Sequence, residues 1–486
     1  MQKVTPSRRF LCLVYLSVSL FSSSLKSLTL EDYVKEVLEK NDQIQVLKKE
    51  GEAKFSRREA GGLMFSPTLF TTLERRDDER ANNAPSFQGS KTLQHIFQLG
   101  VGQQFRTGTK LNLTFSQFKT EIKGASPESV SPSLFYDISP QVELSQDLWR
   151  NFLGIEHRAG EYLQQGQIDL SLLSNQFQAK QLMIKAESLY WRLFFLEQIS
   201  FVEEESLQRA YRLRDWNQKR VRQNLGDTSD LLQAETRVQG LELSHQTTLM
   251  DLEAVRRSFN ELRQEKEDIP VSIGKDVPKL FGSYYIQQIK IPQQMPERED
   301  LQMAKVNAAL NQAQSVMGEE KYKPSLQLYG SMSLNGRDNL YSEALGKSFE
   351  TNHPYSAIGV RLTTPLDIKA LDTYRRAHKQ EALVAELSYR RKSFEIEKEW
   401  LDLIRKFEDQ KKRLGLAIQI IGMEKKKLES ERSRYNLGRT TTFQVLQFEQ
   451  DYANAQVLRL RYEQEIIGLY QQIKMFQPMD KMGSEG

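Results

Sequence analysis

Side chains suited to metal ligation or nucleophilic attack are few and scattered in this 486-residue sequence. Its five histidines stand at 95, 157, 245, 353 and 378, mostly unpaired, and its one cysteine is Cys12. Zinc sites built on His and Cys are therefore not expected, and a single Cys excludes a disulfide framework. Thr107-Gly108-Thr109-Lys110 lacks the glycine spacing and following helix of a phosphate loop. Dispersed Ser, His and Asp residues define no triad. Lys425-Lys426-Lys427 and Glu203-Glu204-Glu205 read as solvated helix faces. No catalytic constellation emerges, so neither an enzyme nor a cofactor is expected. The balance of 68 basic against 64 acidic residues argues against a nucleic-acid surface. What does recur is a turn: Asn224-Leu225-Gly226-Asp227-Thr228 in one half and Asn436-Leu437-Gly438-Arg439-Thr440 in the other.

The elements around those turns are long. Residues 141–269 and 366–477 contain no proline, although the chain has 14. Proline costs roughly 3 kcal/mol inside a helix, so two proline-free windows rich in Leu, Glu, Gln, Lys and Arg predict long helices, over about 154–223 and 369–435. Trp400, Phe407, Leu414, Ile421, Leu428 and Tyr435 recur every seven residues, with Ile404 and Ile418 as a second seam. Leu182, Leu189 and Leu196 share that spacing. A seven-residue period demands a left-handed supercoil against neighbours. Each turn would end a long helix, its Gly supplying the left-handed stop and the following Thr or Asp capping the next helix. Shorter helices are predicted over about 31–62, 228–266, 299–321 and 442–475.

Between the helices the period is two. Phe97, Leu99, Val101 and Phe105 alternate with Gln98, Gly100, Gly102 and Gln104; Leu111, Leu113 and Phe115 alternate with Asn112, Thr114 and Ser116. Val142 and Leu144, then Leu326, Leu328, Met332 and Leu334, then Ile358, Val360 and Leu362 continue the pattern. These are strands with one apolar and one polar face.

The chain also repeats itself. Phe65-Ser66-Pro67-Thr68-Leu69 resembles Tyr322-Lys323-Pro324-Ser325-Leu326, and the stretch beginning at Thr228 pairs with the one beginning at Thr442. Each half runs strand, loop, strand, long helix, turn, shorter helix, which indicates an internal duplication. The first repeat spans 28–267, a joining segment 268–298, the second repeat 299–476 and a tail 477–486. Ahead of them, Lys3, Arg8 and Arg9, the apolar run Phe10 to Phe21 and Ser22-Ser23-Ser24 make residues 1–24 an export signal.

Few strands, very long helices and export together suggest an outer-membrane barrel, whose apolar face meets lipid and whose polar face meets a watery lumen. One chain has too few strands to close such a barrel, and an open edge is forbidden in lipid, so several chains must contribute. A soluble sandwich capping a coiled coil is the alternative.

At this point the sequence resembles the TolC family of trimeric outer-membrane channel-tunnels over nearly the whole chain after the signal. Leu28-Thr29-Leu30-Glu31-Asp32-Tyr33 through Lys40-Asn41-Asp42 looks like the family's opening helix. Ser145 through Gly154 resembles its strand-to-helix entry, with Asp147 where proline is usual, and Thr364-Pro365-Leu366 is the second-half counterpart. The resemblance implies a mainly helical homotrimer: a shared transmembrane β-barrel above a long periplasmic coiled-coil barrel. In the family each protomer gives four strands to twelve. Here a further hairpin at about 95–119 either widens the barrel or projects from it.

The resemblance also implies the site. The turns, Asn224, Leu225, Gly226, Asp227 and Thr228 with Asn436, Leu437, Gly438 and Thr440, resemble the family's adaptor-docking tips. Tyr435 matches its gate tyrosine. Arg439 lies one place before its gate arginine, where this chain has Thr440. Gln444 and Gln447 stand where familiar members carry aspartates, while Asp230 in the first tip keeps a carboxylate, so weak cation selectivity is expected. The implied function is the passive exit duct of a tripartite efflux pump, in the outer membrane with its helices in the periplasm, partnered by an adaptor, an inner-membrane transporter and outer-membrane lipid. A type I secretion outlet shares the fold, and a poreless periplasmic scaffold is the remaining alternative.

Overall fold

The computed structural model describes residues 28–477 except 82, 127, 129–132, 267, 268, 272 and 274–280. The export signal at 1–24 lies outside the described residues, as does the tail beyond 477. In chain order the elements are α1 (Leu30–Lys40), α2 (Asp42–Glu59), a 3-10 turn (Ala60–Phe65), β1 (Thr68–Asp78), α3 (Pro85–Gln88), β2 (Lys91–Gln104), β3 (Thr109–Lys123), β4 (Leu134–Asp147), α4 (Ile155–Arg222), α5 (Thr228–Leu262), α6 (Phe281–Gln288), α7 (Glu299–Lys321), β5 (Ser325–Ser333), β6 (Gly336–Asp338), α8 (Tyr341–Lys347), β7 (Tyr355–Thr363), α9 (Ile368–Asn436) and α10 (Thr442–Lys474). The two proline-free windows are the long helices α4 and α9, of 68 and 69 residues. Both Pro67 and Pro324 stand where helix gives way to strand.

Two expectations need correction. The first helix does not run unbroken over 31–62. It stops at Asn41, whose buried side-chain amide donates 2.8 Å to the Leu262 carbonyl. That carbonyl is one of the orphan acceptors at the end of α5, and Asn41 reaches it from the break, where its backbone is extended. The second seam of α9 is also shifted. Trp400, Phe407, Leu414, Leu428 and Tyr435 are buried as the seven-residue period requires, but Ile418 is exposed. The buried partner row is Ile396, Leu403, Ala417 and Glu431, again at multiples of seven. A supercoil packs two adjacent rows, and a small alanine and a paired glutamate hid the true second row among polar residues.

The described chain forms two compact units, and each repeat contributes to both. Among the described residues, one comprises 28–41, Lys185–Ile289 and Asp409–Gly468. Its aromatic core stacks Tyr33 on Phe259, ring centroids 3.7 Å apart, and Tyr33 Oη donates 3.3 Å to the Phe259 carbonyl. Trp191 packs on Tyr285 at 4.8 Å. Leu207 and Ala210 of α4 meet Val238 and Leu241 of α5, so the shorter helix lies along the longer.

The other unit comprises Asp42–Ile184, Lys290–Glu408 and 469–477 of the described residues. Lys180 is fully buried there, ion-paired with Glu299 and donating 3.2 Å to the Met475 carbonyl. Trp400 and Phe476 pack at 5.1 Å, with the Arg298 guanidinium 4.6 Å from the Phe476 ring.

This unit carries the sheet. Its strands follow the order β1-β2-β3-β4-β5-β7, all antiparallel, with β6 extending β5 along β4. The hairpin left open by the sequence is β2–β3, and it lies inside the sheet: β2 pairs with β1 and β3 with β4. The alternation read in the sequence is the alternation of faces. Leu69, Val101, Leu113, Val142 and Met332 form one row across one face. Neighbouring rows on that face include Leu73 and Ile358, 78% and 83% exposed. The opposite face carries Ser116 and Thr120, each 6% exposed. A soluble sheet does the reverse, burying its apolar face and wetting its polar one.

The sheet-to-helix joint explains Asp147. Its carboxylate accepts 3.2 Å from the Asn151 amide, and Asn151 Oδ1 in turn accepts from the Glu156 and His157 backbone N–H groups at 3.0 and 3.3 Å. An Asp–Asn relay caps α4 where proline would otherwise start it. In the second half Asp367 does this directly, accepting 2.9 Å from Ala370 N–H.

Candidate functional site at the helix turns

The two turns join α4 to α5 and α9 to α10, and both turns lie in the first unit. Their backbones differ in detail. In the second, Gly438 takes the left-handed conformation at φ +69°, and Arg439 N–H donates 2.9 Å to the Arg434 carbonyl, the long closing bond of a Schellman stop. In the first, Asn224, not Gly226, is left-handed, at φ +59°, and Leu225 N–H donates 2.8 Å to the Arg220 carbonyl. Asn tolerates that region because its short polar side chain bonds locally. Gly226 is needed for space instead, since a Cβ there would lie 2.9 Å from Arg220 Cβ. Asp227 caps α5 through Ser229 N–H at 2.8 Å, and Thr228 opens the helix. Asn436 is the last residue of α9. Leu225 and Leu437 are both exposed, one at each turn.

Behind the second turn lies a buried polar knot. Tyr435 Oη donates 2.8 Å to Asn217 Oδ1 on α4, and the Thr442 hydroxyl donates 3.3 Å to the same oxygen. Tyr435 Oη and Thr442 Oγ1 are 3.1 Å apart. Three helices, α4, α9 and α10, thus meet on one amide oxygen, with all three side chains buried.

Two turns of helix further along α10, Glu449 forms a second knot. Its Oε2 accepts 2.8 Å from Arg209 Nε of α4, and its Oε1 accepts 2.9 Å from Arg432 Nε of α9. Glu431, also buried, accepts from the Thr440 hydroxyl and from Arg434 Nη1, the latter at 3.2 Å. Gln444 Oε1 stands 3.2 Å from that same hydroxyl. Gln447 is exposed and donates 3.0 Å to Asp451. It lines a cleft between α5 and α10 with Gln233, Arg237 and Phe443. Burial pushes the Arg237 guanidinium down from its ordinary value, with Glu449 opposing.

Of the residues singled out in the sequence, Tyr435, Thr440, Gln444 and Gln447 gather on this α9–α10 corner. Arg439 is exposed, and Asp230 stands in the first turn of α5. Asn217, Arg209, Arg432, Glu431 and Glu449 were not anticipated. Glu449 lay in the repeated stretch after the turn, but its partners come from positions about 17 and 240 residues away, which no local spacing reveals. Among the described residues no group of His, Cys, Asp and Glu is arranged to hold a metal ion.

No family model matches the sequence. No curated protein matches it either. Solved structures do. The outer membrane protein VceC of Vibrio cholerae is 13% identical, covering 92% of this chain and 95% of its own, with a TM-score of 0.63. The CmeC outer membrane channel of Campylobacter jejuni is 13% identical over 92% of this chain and 84% of its own, with a TM-score of 0.65. The MtrE outer membrane channel of Neisseria gonorrhoeae, solved in its open state, is 14% identical over 92% and 88%, with a TM-score of 0.62. At such identities the likeness is one of fold: this chain has the long-helix and sheet architecture of these outer-membrane channels.

Proposed function

We propose that this protein is an outer-membrane channel, the passive exit duct of a tripartite efflux assembly. It works as a homotrimer whose sheets share one barrel in outer-membrane lipid and whose helices stand in the periplasm. A periplasmic adaptor docks on the helix turns, and an inner-membrane transporter supplies the energy. The observation that carries this reading is the sheet's reversed exposure: Leu69, Leu73, Ile358, Val360 and Leu362 lie open on the apolar face, while Ser116 and Thr120 are buried on the polar face. Lipid on one side and a water-filled lumen on the other account for both. Among the described residues no helix is long and apolar enough to cross a membrane.

The turns supply the moving part. The Tyr435–Asn217–Thr442 and Arg209–Glu449–Arg432 knots tie α9 and α10 to α4 by a handful of polar contacts. Such contacts can be exchanged between two packed arrangements of the same helices. Exposed Leu225 and Leu437, each flanked by a small or capping residue, offer apolar points for an adaptor's helices. The residues fit a duct with a gate, and no cofactor enters the reading.

Membrane fractionation with oligomer sizing, followed by recording in planar bilayers, tests the proposal. An outer-membrane trimer with discrete ion conductance is the expected result. A detergent-independent monomer without conductance would end it. Co-purification of an adaptor, and its loss on changing Leu225 and Leu437 to Asp, tests the docking turns. Drug-sensitivity and secretion assays on a deletion strain separate efflux from polypeptide export.

A further inference from the structure

We propose that the free edge of β1 in one copy pairs with the free edge of β7 in the next, with Thr68 opposite Thr363, and that three copies so joined close an eighteen-stranded barrel. The copy number and the lipid that forbids an open edge rest on the preceding reading; the strand order and its even count do not.

The count follows from the sheet. Because β2–β3 is paired on both sides, six strands of the described residues follow one another in the order β1-β2-β3-β4-β5-β7. All neighbours are antiparallel, so β1 and β7 run in opposite directions. An even count is what lets β7 meet the next copy's β1 antiparallel. Among the described residues both outer edges are unpaired, and a row of free N–H and C=O groups cannot face hydrocarbon.

The register follows from the stagger already present. The row that begins at Leu69, second residue of β1, passes through Val101, Leu113, Val142 and Met332 and ends at Ser356, second residue of β7. β1 starts just after the 3-10 turn and β7 ends just before α9, so Thr68 and Thr363 are the helix-side ends of the two strands. Ser356 is therefore at the far end of β7. Bringing the helix-side ends level places Leu69 opposite Leu362, six residues from Ser356. Six residues over six strands is one residue per strand. With ~3.3 Å per residue and ~4.8 Å between strands, that is a tilt of about 35°, the ordinary tilt of closed barrels.

This register pairs the whole of β7 with Thr68–Arg76. It sets Leu69, Thr71 and Leu73 opposite Leu362, Val360 and Ile358 on the apolar face, and Phe70 opposite Arg361 on the polar face. A one-residue slip would set Leu69 opposite Arg361 or Thr363 and Leu73 opposite Ala357 or Gly359, turning one strand's apolar row to the other face. Barrel diameter grows roughly in proportion to strand number, so the ring is about half again as wide as a twelve-stranded one. It falls in the size class whose lumen remains an aqueous channel.

Two cysteines and a strand count test this. In a Cys12→Ser background, Thr71→Cys with Val360→Cys is expected to give a covalent trimer on oxidation, since directly opposed residues lie within disulfide reach. The slipped pair Thr71→Cys with Ile358→Cys should give roughly fivefold less. Thr71→Cys with Leu99→Cys should close within one chain, reporting that β2 sits beside β1. Electron microscopy of the purified oligomer should show eighteen strands. A trimer with twelve strands, or one that cross-links only at the slipped pair, overturns the inference and leaves the exit-duct reading standing. Absence of any outer-membrane oligomer overturns both, and fractionation reports that separately.

Discussion

Tyr435 and Asn217 are joined by a 2.8 Å hydrogen bond across 218 positions of sequence. The bond is buried, and the Asn217 Nδ2 beside it has no partner among the described residues. The amide is therefore held by its oxygen alone, through Tyr435 and Thr442. Tyr435→Phe keeps the ring and removes the donor that ties α9 to α4. A loss of about 1 kcal/mol is expected from one such bond. Because it falls on a contact that the proposed gate would break, open probability in planar bilayers should rise several-fold. An unchanged open probability would remove Tyr435 from the gate and leave it a packing residue.

Glu449→Gln tests the second knot. The carboxylate is nearly buried between Arg209, itself mostly covered, and Arg432, which is partly exposed. Removing one partner of a buried ion pair leaves the other charge stranded, at roughly 3 kcal/mol when both are desolvated; the exposure of Arg432 reduces this to about 2 kcal/mol. Thermal unfolding of the purified protein measures it. Adding Arg209→Gln should restore part of the loss, because the stranded cation is then gone. Additive losses in the double variant would mean the pair is not coupled.

Much of this fold was readable because long-range order was written in short-range periods. Proline exclusion marked α4 and α9, and strict alternation marked β2, β3, β5 and β7. β1 was harder. Its Thr68–Asp78 sequence sets Leu69 beside Phe70 and Thr71 beside Thr72, and charges take over after Leu73, so this strand, exposed on both faces, lacks the alternation of its neighbours. The site was half readable. Tyr435 closes the seven-residue series and stands beside a turn that occurs twice. Asn217 is one more polar residue in the charged last turns of α4, and only the packing of α9 and α10 on α4 gives it a role. The placement of β2–β3 inside the sheet was undetermined for a similar reason, since a projecting hairpin and an integrated one need the same alternation.

Gly154→Ala should be among the most damaging single substitutions. Gly154 has φ +75°, and a Cβ there would come 1.6 Å from the Arg106 carbonyl oxygen. The left-handed conformation costs a non-glycine roughly 1–2 kcal/mol, and the backbone clash adds to it, so a loss above about 3 kcal/mol is expected. Six residues on, Gly160 has open space around its Cβ position. Gly160→Ala should be neutral or stabilise by up to about 1 kcal/mol. Comparing heat-resistant oligomer yield of the two variants checks the contrast. Equal yields would mean the strand-to-helix joint is not fixed as described.

Asp300 predicts an acid limit. Burial pushes its carboxyl upward, but hydrogen bonds from Arg298, at 2.7 and 2.9 Å, and the ion pair with Lys392 outweigh burial and hold it below its ordinary value. The folded state thus binds this proton less readily than the unfolded chain. The stabilisation is present above the ordinary carboxylate value near 3.8 and is lost as pH falls through the lowered one. Asp300→Asn should lower stability at neutral pH and flatten the fall in melting temperature below about pH 4. A variant that keeps the wild-type acid slope would show that other carboxylates set it.

Ion selectivity tests the tips from the other side. Gln444 and Gln447 are exposed and neutral on the first turns of α10. The nearest carboxylate along that face, Asp451, is shared with Gln447 at 3.0 Å and Lys427 at 3.6 Å, so its charge is partly met within the chain. A constriction ringed by such side chains has little fixed negative charge to favour cations. The wild-type channel should therefore discriminate weakly between potassium and chloride, and trivalent cations should not block it tightly. Gln447→Asp places a new carboxylate in each copy at the same corner, about one turn from Asp451, where two like charges also resist Lys427's neutralisation. Its reversal potential in a salt gradient should move toward the cation value, by roughly a twofold or greater change in permeability ratio. Strong cation preference in the wild type, or no shift in the variant, would mean that this face of α10 does not line the path of the ions.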